Sequence, residues 1–361
     1  MNHRHIASLF ALYGDFVSCE PYGSGHINDT FKLVMLQAGR AVDYILQRVN
    51  TRVFPRPAEL MENIERVTRH QRLKLAGDPD ASRKALTLVP TVEGKAFALD
   101  GSDVWRCYLF IENAQTYDVL KNAELAYAAA FAFGDFQKSL SDLPAPRLHE
   151  VIPGFHDTPK RIARLEEMAK LDPMGRLASA RAEFDEIMSR KDEYDKLIRL
   201  GREGAIPERI THNDTKLNNV MLDDATGGAV CVIDLDTVMP GFVHYDFGDM
   251  VRTGTSPAAE DERDLSKVTM RFDMFEGLLR GYLAGSAGML NAAERENLPF
   301  SGKLITLEIG ARFLTDYLEG DVYFKIHREG HNLDRCRTQI TLARSIEAQY
   351  DNMMKLLDGI K

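Results

Sequence analysis

Three polar residues in one short segment have the types and the spacing that phosphoryl transfer requires. The segment THNDTKLNNVML places His212, Asp214 and Asn219 in the pattern His-x-Asp-x-x-x-x-Asn. In a loop with this spacing, the aspartate can accept the proton of an attacking hydroxyl, while the asparagine turns back to bind a magnesium ion. A polar loop with asparagine caps is the simpler interpretation. We predict that Asp214 is a catalytic base and that Asn219 is a metal ligand.

An apolar strand further along the chain supplies a second candidate metal ligand. The run AVCVIDLD ends at Asp234, which follows Asp214 by 20 residues (234 − 214). Because DDATGG can form the turn of a hairpin, the chain should bring the Asp234 carboxylate back beside Asn219. Two oxygen ligands from adjacent elements suit a partly hydrated magnesium ion that bridges phosphates. Asp236 would share that side of an extended strand, either as a further ligand or, as we favour, in a structural role.

The triplet Asp-Phe-Gly that begins at Asp246 does not mark the metal site, although protein kinases use this triplet to bind magnesium. It comes 32 residues after Asp214 (246 − 214) and lies beyond a loop that contains Pro240 and Gly241. No apolar strand precedes it, and YDFGDMVRTG is typical of a helix start. We therefore predict that Asp246 caps this helix or holds the catalytic loop in place.

Two glycines near the N-terminus could cover the phosphates of a nucleotide. Gly23 and Gly25 lie between two predicted strands in YGSGHINDTFKL. The pattern is not a dinucleotide fingerprint, because Asn28 stands at the third glycine position and a strand follows, and the chain contains no P-loop sequence. A glycine-containing hairpin over phosphates is the remaining functional interpretation. An ordinary hairpin turn would look the same.

A cation on the third strand and a carboxylate on the next helix would complete such a phosphate site. The strand YILQRVN contains no lysine, so we choose Arg48 as the cation, although Gln47 is the equivalent position in another alignment. Glu62 is nearest the expected distance on the helix, with Glu59 and Glu65 as alternatives. An exposed arginine and an exposed acidic helix face are the plainer interpretation of the same residues.

Strand and helix signals divide the chain into two parts and predict an α+β fold with two lobes. Strand-type runs occupy 29–36, 41–49, 85–90 and 104–112 around a helix at 57–77. From about residue 115 the chain becomes helical, with helices expected at 158–171, 178–200, 262–285, 301–319 and 332–358. We assign 1–112 to a nucleotide-binding N-terminal lobe and 113–361 to a C-terminal lobe with the catalytic loop. The connector that begins at Glu112 should offer backbone groups to adenine.

Composition indicates which binding partners are excluded and which cellular compartment suits the protein. The net charge is −9 with scattered Lys and Arg, which argues against nucleic acid and anionic membranes as partners. The four cysteines lie far apart and form no Cys-x-x-Cys, which favours the reducing cytoplasm. No apolar stretch is long enough to span a bilayer. The N-terminus is typical of a short amphipathic helix rather than a signal peptide.

These motifs together resemble the aminoglycoside phosphotransferase and choline kinase superfamily, whose members are small-molecule kinases with a protein-kinase-like fold. The segments HNDTKLNNVMLD, CVIDLDTVMPG and ARFLTDYLEGDVYFK are similar to those of bacterial N-acetylhexosamine 1-kinases. Those enzymes phosphorylate the anomeric hydroxyl of GlcNAc or GalNAc with ATP and magnesium. The resemblance implies ATP and Mg²⁺ as cofactors and a sugar as substrate. It also implies that Asp214 is the base, that Asn219 and Asp234 are the metal ligands, and that Arg312 and Tyr323 face the sugar.

Other acceptors and a non-catalytic role remain open. Choline, an aminoglycoside or another amine could replace the sugar, although a quaternary ammonium prefers an aromatic cage and the sole tryptophan, Trp105, lies in the small lobe. A pseudokinase that only binds ligands is the third hypothesis. Arg312, Asp316 and Glu319 lie at helical spacing and could simply form a solvated ion-pair face.

Overall fold

The computed structural model describes residues 2–23, 27–117 and 119–360 and confirms the two-lobed, protein-kinase-like α+β fold. The N-terminal lobe is built on an antiparallel sheet with the order β1-β2-β3-β5-β4. Its strands are β1 (Asp15–Pro21), β2 (Asp29–Gln37), β3 (Arg40–Val49), β4 (Ala98–Asp100) and β5 (Asp103–Leu109). Helix α1 (His3–Ser8) precedes this sheet, and helices α2 (Pro57–Lys74) and α3 (Ala81–Lys84) lie between β3 and β4.

Alternation along the strands gives this sheet two different faces, because successive side chains point to opposite sides. Leu33, Leu46 and Trp105 belong to the core cluster that also contains Ile6 of α1. Val49 and Val104 belong instead to the large core cluster that includes α2 and much of the C-terminal lobe. On β3, even-numbered residues therefore lie on the outer face and odd-numbered residues on the inner face, which is turned toward the second lobe.

The C-terminal lobe is mainly helical. Its helices are α4 (Ala123–Ser139), α5 (Thr158–Leu171), α6 (Arg181–Met188), α7 (Lys196–Arg202), α8 (Val243–Gly254), α9 (Phe272–Gly285), α10 (Ala292–Glu296), α11 (Leu298–Glu319), α12 (His331–Ala348) and α13 (Tyr350–Gly359). Its short strands are β6 (Ala114–Gln115), β7 (Arg209–Thr211), β8 (Val220–Asp223), β9 (Ala229–Val232) and β10 (Met239–Gly241). They pair as β6-β8-β9 and β10-β7, so the predicted hairpin is confirmed as β8-β9.

Helices α4 and α9 pack with their backbones in contact. A Cβ atom on Gly281 would lie 2.2 Å from the carbonyl oxygen of Tyr127, and a Cβ on Gly285 would lie 2.2 Å from that of Phe131. No larger residue fits at these positions without moving one of the helices. This approach brings Tyr282 of α9 to Gln137 of α4, where the tyrosine hydroxyl donates a hydrogen bond to the amide oxygen.

Several predicted elements differ from those observed. The run 85–90 lies beside β5 and makes two backbone hydrogen bonds to it, but Pro90 has no amide hydrogen to continue a ladder. The predicted helix 178–200 is split into α6 and α7, because the buried Tyr194 turns inward and its hydroxyl donates to the Ile187 carbonyl at 2.8 Å. The predicted helix 332–358 divides at Gln349. No helix within the described residues is long and apolar enough to cross a membrane.

Burial of His244 at the start of α8 predicts a loss of stability at acid pH. Its Nε2 donates to the Glu294 carbonyl at 2.9 Å, and burial lowers the pKa of the imidazole to about 4. The unfolded chain takes up this proton near its ordinary pKa of about 6.5, so the stabilisation is complete above that value and is lost as the pH falls toward 4. We expect the free energy of unfolding to fall by about 2 kcal/mol more in the wild type than in His244→Gln between about pH 7.5 and pH 5.

Urea denaturation at the two pH values measures this difference. The glutamine can still donate to the Glu294 carbonyl, so the comparison isolates the titration of the imidazole. Equal pH dependence in the two proteins would contradict the prediction.

Candidate active site

Asp246 anchors the segment that carries Asp214. Its carboxylate accepts the backbone N–H groups of His212 at 2.8 Å and Asn213 at 2.7 Å, together with the side-chain amide of Gln137 at 2.5 Å. Asp246 is fully buried, and burial raises the pKa of its carboxyl, while the charge of His212 and these hydrogen bonds oppose that rise. The prediction that Asp246 holds the loop that begins at His212 in place is therefore confirmed, and the catalytic role of that loop stays a prediction.

The alternative prediction, that Asp246 caps the helix, is wrong. The N-cap of α8 is Phe242, and Asp246 lies inside the first turn. Its own backbone carbonyl accepts a hydrogen bond from the Thr215 hydroxyl at 2.6 Å. The first turn of α8 thus binds the catalytic loop through both its side chain and its backbone.

Asp214 stands between a lysine and an asparagine. Lys216 Nζ lies 2.9 Å from Asp214 Oδ1, and the side-chain amide of Asn219 donates to the Asp214 carbonyl oxygen at 2.8 Å and to Oδ2 at 3.3 Å. Burial alone would raise the pKa of Asp214, but the charge and the hydrogen bond of Lys216, together with smaller contributions from His212 and Arg252, hold the pKa below the ordinary value. Asp214 is therefore a carboxylate at neutral pH, ready to accept a proton.

The hairpin brings the backbone next to Asp234 beside Asn219. The N–H of Ile233 donates to the Asn219 carbonyl at 2.9 Å, and His212 Nε2 donates to the Ile233 carbonyl at 2.9 Å. These bonds join the strand that precedes Asp234 to the catalytic loop. Asp234 itself adopts a left-handed backbone conformation (φ 57°), which turns the chain out of the strand.

The carboxylates around Asp234 form an electronegative centre. Asp234 is exposed, but desolvation by the surrounding protein, followed by repulsion from Asp236 and Asp214, raises the pKa of its carboxyl to about 6, although Arg106 opposes this rise. A divalent cation would relieve the repulsion, and the donors are the oxygens that magnesium prefers. Within the described residues, no group of three or more His, Cys, Asp or Glu is close enough to hold a metal. The assignment of Asn219 and Asp234 as metal ligands stays a prediction.

The predicted pair of Arg48 and Glu62 does not form. Arg48 lies on the outer face of the sheet, where it donates to Asp29 at 2.9 Å through Nε and to Asp103 at 3.3 Å through Nη1. Glu62 lies on the exposed side of α2, with its Oε2 2.9 Å from His149 Nε2. The prediction of this pair is wrong because a shift of one residue along β3 moves the side chain to the opposite face.

The inner-face position on β3 belongs to Gln47. It stands opposite Arg106 in the β3–β5 ladder and accepts a hydrogen bond from Arg106 Nε at 2.9 Å. Arg106 also forms a buried ion pair with Asp236. The sequence analysis missed Arg106, although it is the sole charged residue in the otherwise apolar-aromatic run VWRCYLFI.

Two further predicted nucleotide contacts, Gly23 and Glu112, lie outside the helices and strands. Gly23 has a positive φ of 78°, which a residue with a Cβ rarely adopts, and Gly25 lies outside the described residues. The Glu112 carbonyl accepts a hydrogen bond from Arg83 Nε at 3.1 Å, and the same guanidinium donates to Asn113 at 3.0 Å and to Asp223 at 2.9 Å. Arg83 therefore ties the connector between the lobes to strand β8.

Arg312 and Tyr323 meet in an aromatic cluster. The Arg312 guanidinium lies 5.4 Å from the ring centroid of Phe155, 5.7 Å from that of Tyr323 and 5.5 Å from that of Phe324. We call these four residues the acceptor wall. Asp316 does not pair with Arg312, because its carboxylate accepts the backbone N–H groups of 322, 323 and 324 at 2.7 to 2.9 Å. The ion-pair interpretation of this stripe is therefore wrong for Asp316.

The acceptor wall is connected to the catalytic loop through His156. The Phe155 and His156 rings are 4.7 Å apart, and His156 Nε2 donates to the carbonyl of Asn213, the residue before Asp214, at 3.1 Å. A second arginine lies beside the wall: Arg161 donates to the Phe155 carbonyl at 3.0 Å. Burial and the charge of Arg312 lower the pKa of Arg161. This side of the site is therefore positively charged and aromatic.

This fold and site belong to a known class of enzymes. Residues 18–275 match the Phosphotransferase enzyme family. The match spans most of the chain, so the chain belongs to this family and is a phosphotransferase.

Solved structures of kinases share the fold. An aminoglycoside phosphotransferase from Alicyclobacillus acidocaldarius is 13% identical, with a TM-score of 0.64 over 99% of this chain and 96% of that chain. A spectinomycin phosphotransferase in complex with ADP and spectinomycin is 13% identical, with a TM-score of 0.58 over 97% and 98%. Choline kinase from Cryptosporidium parvum is 13% identical, with a TM-score of 0.55 over 95% and 92%. These identities are low, and the structures establish the shared fold.

Proposed function

We propose that this protein is an ATP-dependent N-acetylhexosamine 1-kinase, which converts GlcNAc or GalNAc to the sugar 1-phosphate. The observation that carries the choice of acceptor is the positively charged aromatic wall next to the catalytic loop. The resemblance of ARFLTDYLEGDVYFK to the N-acetylhexosamine 1-kinases supports the same choice.

Asp214 would act as the general base. Its carboxylate takes the proton of the anomeric hydroxyl, whose oxygen forms a bond to the γ-phosphorus of ATP as the bond to the β-phosphate oxygen breaks and ADP leaves. Positioning and charge neutralisation contribute most of the rate in such transfers. Lys216, which the sequence analysis did not single out, lies 2.9 Å from Asp214 and would place a positive charge beside the transferring phosphoryl group.

The nucleotide would lie between the lobes. Asn219 and Asp234 would hold Mg²⁺, which when bound neutralises charge on the phosphates. The hairpin with Gly23 and Gly25 would cover the phosphates, and the backbone at Glu112 would contact adenine. The presence of ADP in the spectinomycin phosphotransferase structure supports ATP as the donor.

The charge of the acceptor wall discriminates between acceptor classes. Choline carries a positive charge and aminoglycosides carry several, so both would meet repulsion from Arg312 and Arg161. The nearby acids are already engaged, since Asp316 binds three backbone amides and Glu308 lies 2.8 Å from His156. The Arg312 guanidinium also lies among the rings of Phe155, Tyr323 and Phe324. An aromatic cage would hold a quaternary ammonium at that position. A neutral sugar with an acetamido group avoids the repulsion and can accept hydrogen bonds from Arg312.

ADP release with ATP and Mg²⁺ tests the proposal against GlcNAc, GalNAc, glucose, galactose, choline and kanamycin. We expect turnover with the N-acetylhexosamines and none with their 1-O-methyl glycosides, which lack the reacting hydroxyl. Turnover confined to choline or kanamycin would retain the assignment of Asp214 and refute the sugar site. Nucleotide binding without turnover of any acceptor would favour the pseudokinase hypothesis.

Removal of the Arg312 charge should weaken acceptor binding selectively. A hydrogen bond from a charged group contributes about 1.5 to 3 kcal/mol, so Arg312→Gln is expected to raise the KM for the sugar by roughly tenfold or more. The KM for ATP should change by less than about twofold, because nucleotide and acceptor use different walls.

Initial-rate kinetics with each substrate varied in turn separates the two constants. Arg164→Gln is the matched control. Arg164 donates at 2.8 Å to Glu319, which is the last residue of the helix that carries Arg312, and it is not part of the acceptor wall. Equal changes in both KM values of Arg312→Gln would contradict a specific acceptor role.

A further inference from the structure

We infer that Arg106 of β5 supplies the phosphate-binding cation of this enzyme and that Asp236 orients it. The inference rests on the proposed function, because it requires a nucleotide between the lobes. It replaces the predicted pair of Arg48 and Glu62 with two residues that form a buried ion pair between the lobes.

Strand β3 has no cation on its inner face. On β3, the inner-face residue opposite Arg106 is the uncharged Gln47, whereas Arg48 points to the outer face and is held by Asp29 and Asp103. Arg106 lies directly across the ladder from Gln47, so its guanidinium reaches the same side of the sheet from the neighbouring strand. The inner face of the sheet therefore carries its positive charge on β5, at Arg106, and not on the neighbouring strand β3.

A chain of hydrogen bonds fixes the position of this guanidinium. Gln47 Nε2 donates to the Thr30 hydroxyl at 2.9 Å, and Gln47 Oε1 accepts from Arg106 Nε at 2.9 Å. Asn28, in the segment that leads into β2, donates to Asp236 Oδ2 at 2.7 Å, while Asp236 Oδ1 accepts from Arg106. These bonds use two of the five N–H donors that a guanidinium carries, which leaves capacity for phosphate oxygens.

The location of the pair relative to the metal ligands supports a role at the phosphates. Asp236, which accepts a hydrogen bond from Arg106, follows the proposed ligand Asp234 by two residues. Asp234 would hold a magnesium ion, which when bound would neutralise charge on the phosphates of the nucleotide. On this assignment, the guanidinium of Arg106 would contact the phosphate oxygens next to that ion.

Helix α2 does not offer a carboxylate for this purpose. Its buried polar residues are Thr68, which donates to the Ile64 carbonyl of the same helix, and Asn63, which donates to the Val238 carbonyl at 3.1 Å and to the His149 carbonyl at 2.9 Å. The carboxylate comes instead from Asp236 in the C-terminal lobe. The ion pair with Arg106 consequently joins the two lobes, and both partners are almost completely buried, with side-chain exposures of 1% and 5%.

Nucleotide binding tests this role without requiring an acceptor. We would measure the dissociation constants of a non-hydrolysable ATP analogue with Mg²⁺, and of adenosine, by titration calorimetry. Arg106→Gln is expected to weaken binding of the analogue at least tenfold and binding of adenosine less than twofold. Arg48→Gln, the matched arginine on the outer face, should bind both ligands like the wild type.

Two double variants separate a phosphate contact from a purely structural ion pair. Arg106→Gln with Asp236→Asn removes both buried charges, so no carboxylate is left unpaired, and it should keep the selective loss of the analogue. Gln47→Lys with Arg106→Gln returns a cation to β3 and should recover part of the analogue binding. Thermal unfolding of each variant confirms that it is folded.

The outcomes distinguish failure of this inference from failure of the proposed function. Wild-type protein that binds no nucleotide would refute both. Wild-type binding with unchanged analogue affinity in Arg106→Gln, or with equal losses for the analogue and adenosine, would refute the role of Arg106 and leave the kinase proposal intact. Absence of recovery in Gln47→Lys with Arg106→Gln would count against the displacement of the cation from β3.

Discussion

Asp214→Asn is expected to lower kcat by roughly a hundredfold to ten-thousandfold, which is the usual contribution of a positioned general base. The asparagine keeps the shape of the side chain and can still accept a hydrogen bond from Asn219. It cannot take a proton from the attacking hydroxyl. Binding of the ATP analogue should therefore change far less than turnover.

Single-turnover kinetics and calorimetry measure these two effects separately. Because Lys216 holds the pKa of Asp214 below its ordinary value, protonation of this carboxylate should not limit the wild-type rate above about pH 5. Asp142→Asn is a suitable control, since Asp142 is an exposed aspartate paired with Lys74 and His70. Retention of more than a tenth of wild-type kcat in Asp214→Asn would contradict the role of Asp214 as the base.

Asp246→Asn is expected to lower the free energy of unfolding by about 2 to 4 kcal/mol and to reduce kcat as well. Each buried donor that loses its acceptor costs about 1 to 3 kcal/mol. The carboxylate accepts three hydrogen bonds, from His212, Asn213 and Gln137. An amide has one oxygen, and its NH₂ group would face an N–H that also donates, so part of this set must break.

Urea denaturation and steady-state kinetics of the same preparation test both effects. Asp273→Asn is the matched control, because Asp273 lies in the first turn of α9 and is exposed. It loses a charge at a helix start without losing a buried contact. A variant Asp246→Asn as stable as Asp273→Asn would show that the anchor contributes little.

The parts of the site that could be predicted from the sequence are those set by short-range geometry. The spacing of His212, Asp214 and Asn219 lies within one loop, and the turn DDATGG fixes the return of the chain to Asp234. Helix α5 (Thr158–Leu171) was predicted with its observed bounds, because Asp157 and Pro159 mark its start. In each case neighbouring residues determine the local conformation.

The parts that could not be predicted depend on long-range packing or on strand register. One residue decides whether Gln47 or Arg48 faces the cleft, and a single sequence does not fix that register. The Arg106–Asp236 pair joins residues 130 positions apart, so no local pattern indicates it. The ion-pair alternative for Asp316 is wrong for the same reason, because its partners are backbone N–H groups of 322–324, in the loop that folds back after α11.

The backbone contact between α4 and α9 has a consequence for the genetics of this protein. Gly281 and Gly285 admit no side chain, and the Tyr282 hydroxyl that they bring into place supports Gln137, which in turn supports Asp246. A bulkier residue on this face of α9 would push α4 and α9 apart. The hydrogen bonds from Tyr282 through Gln137 to Asp246 would then be lost, and with them part of the support for the catalytic loop. A random screen for inactive or temperature-sensitive alleles should therefore recover a cluster of substitutions in α9, a helix with none of the proposed catalytic residues.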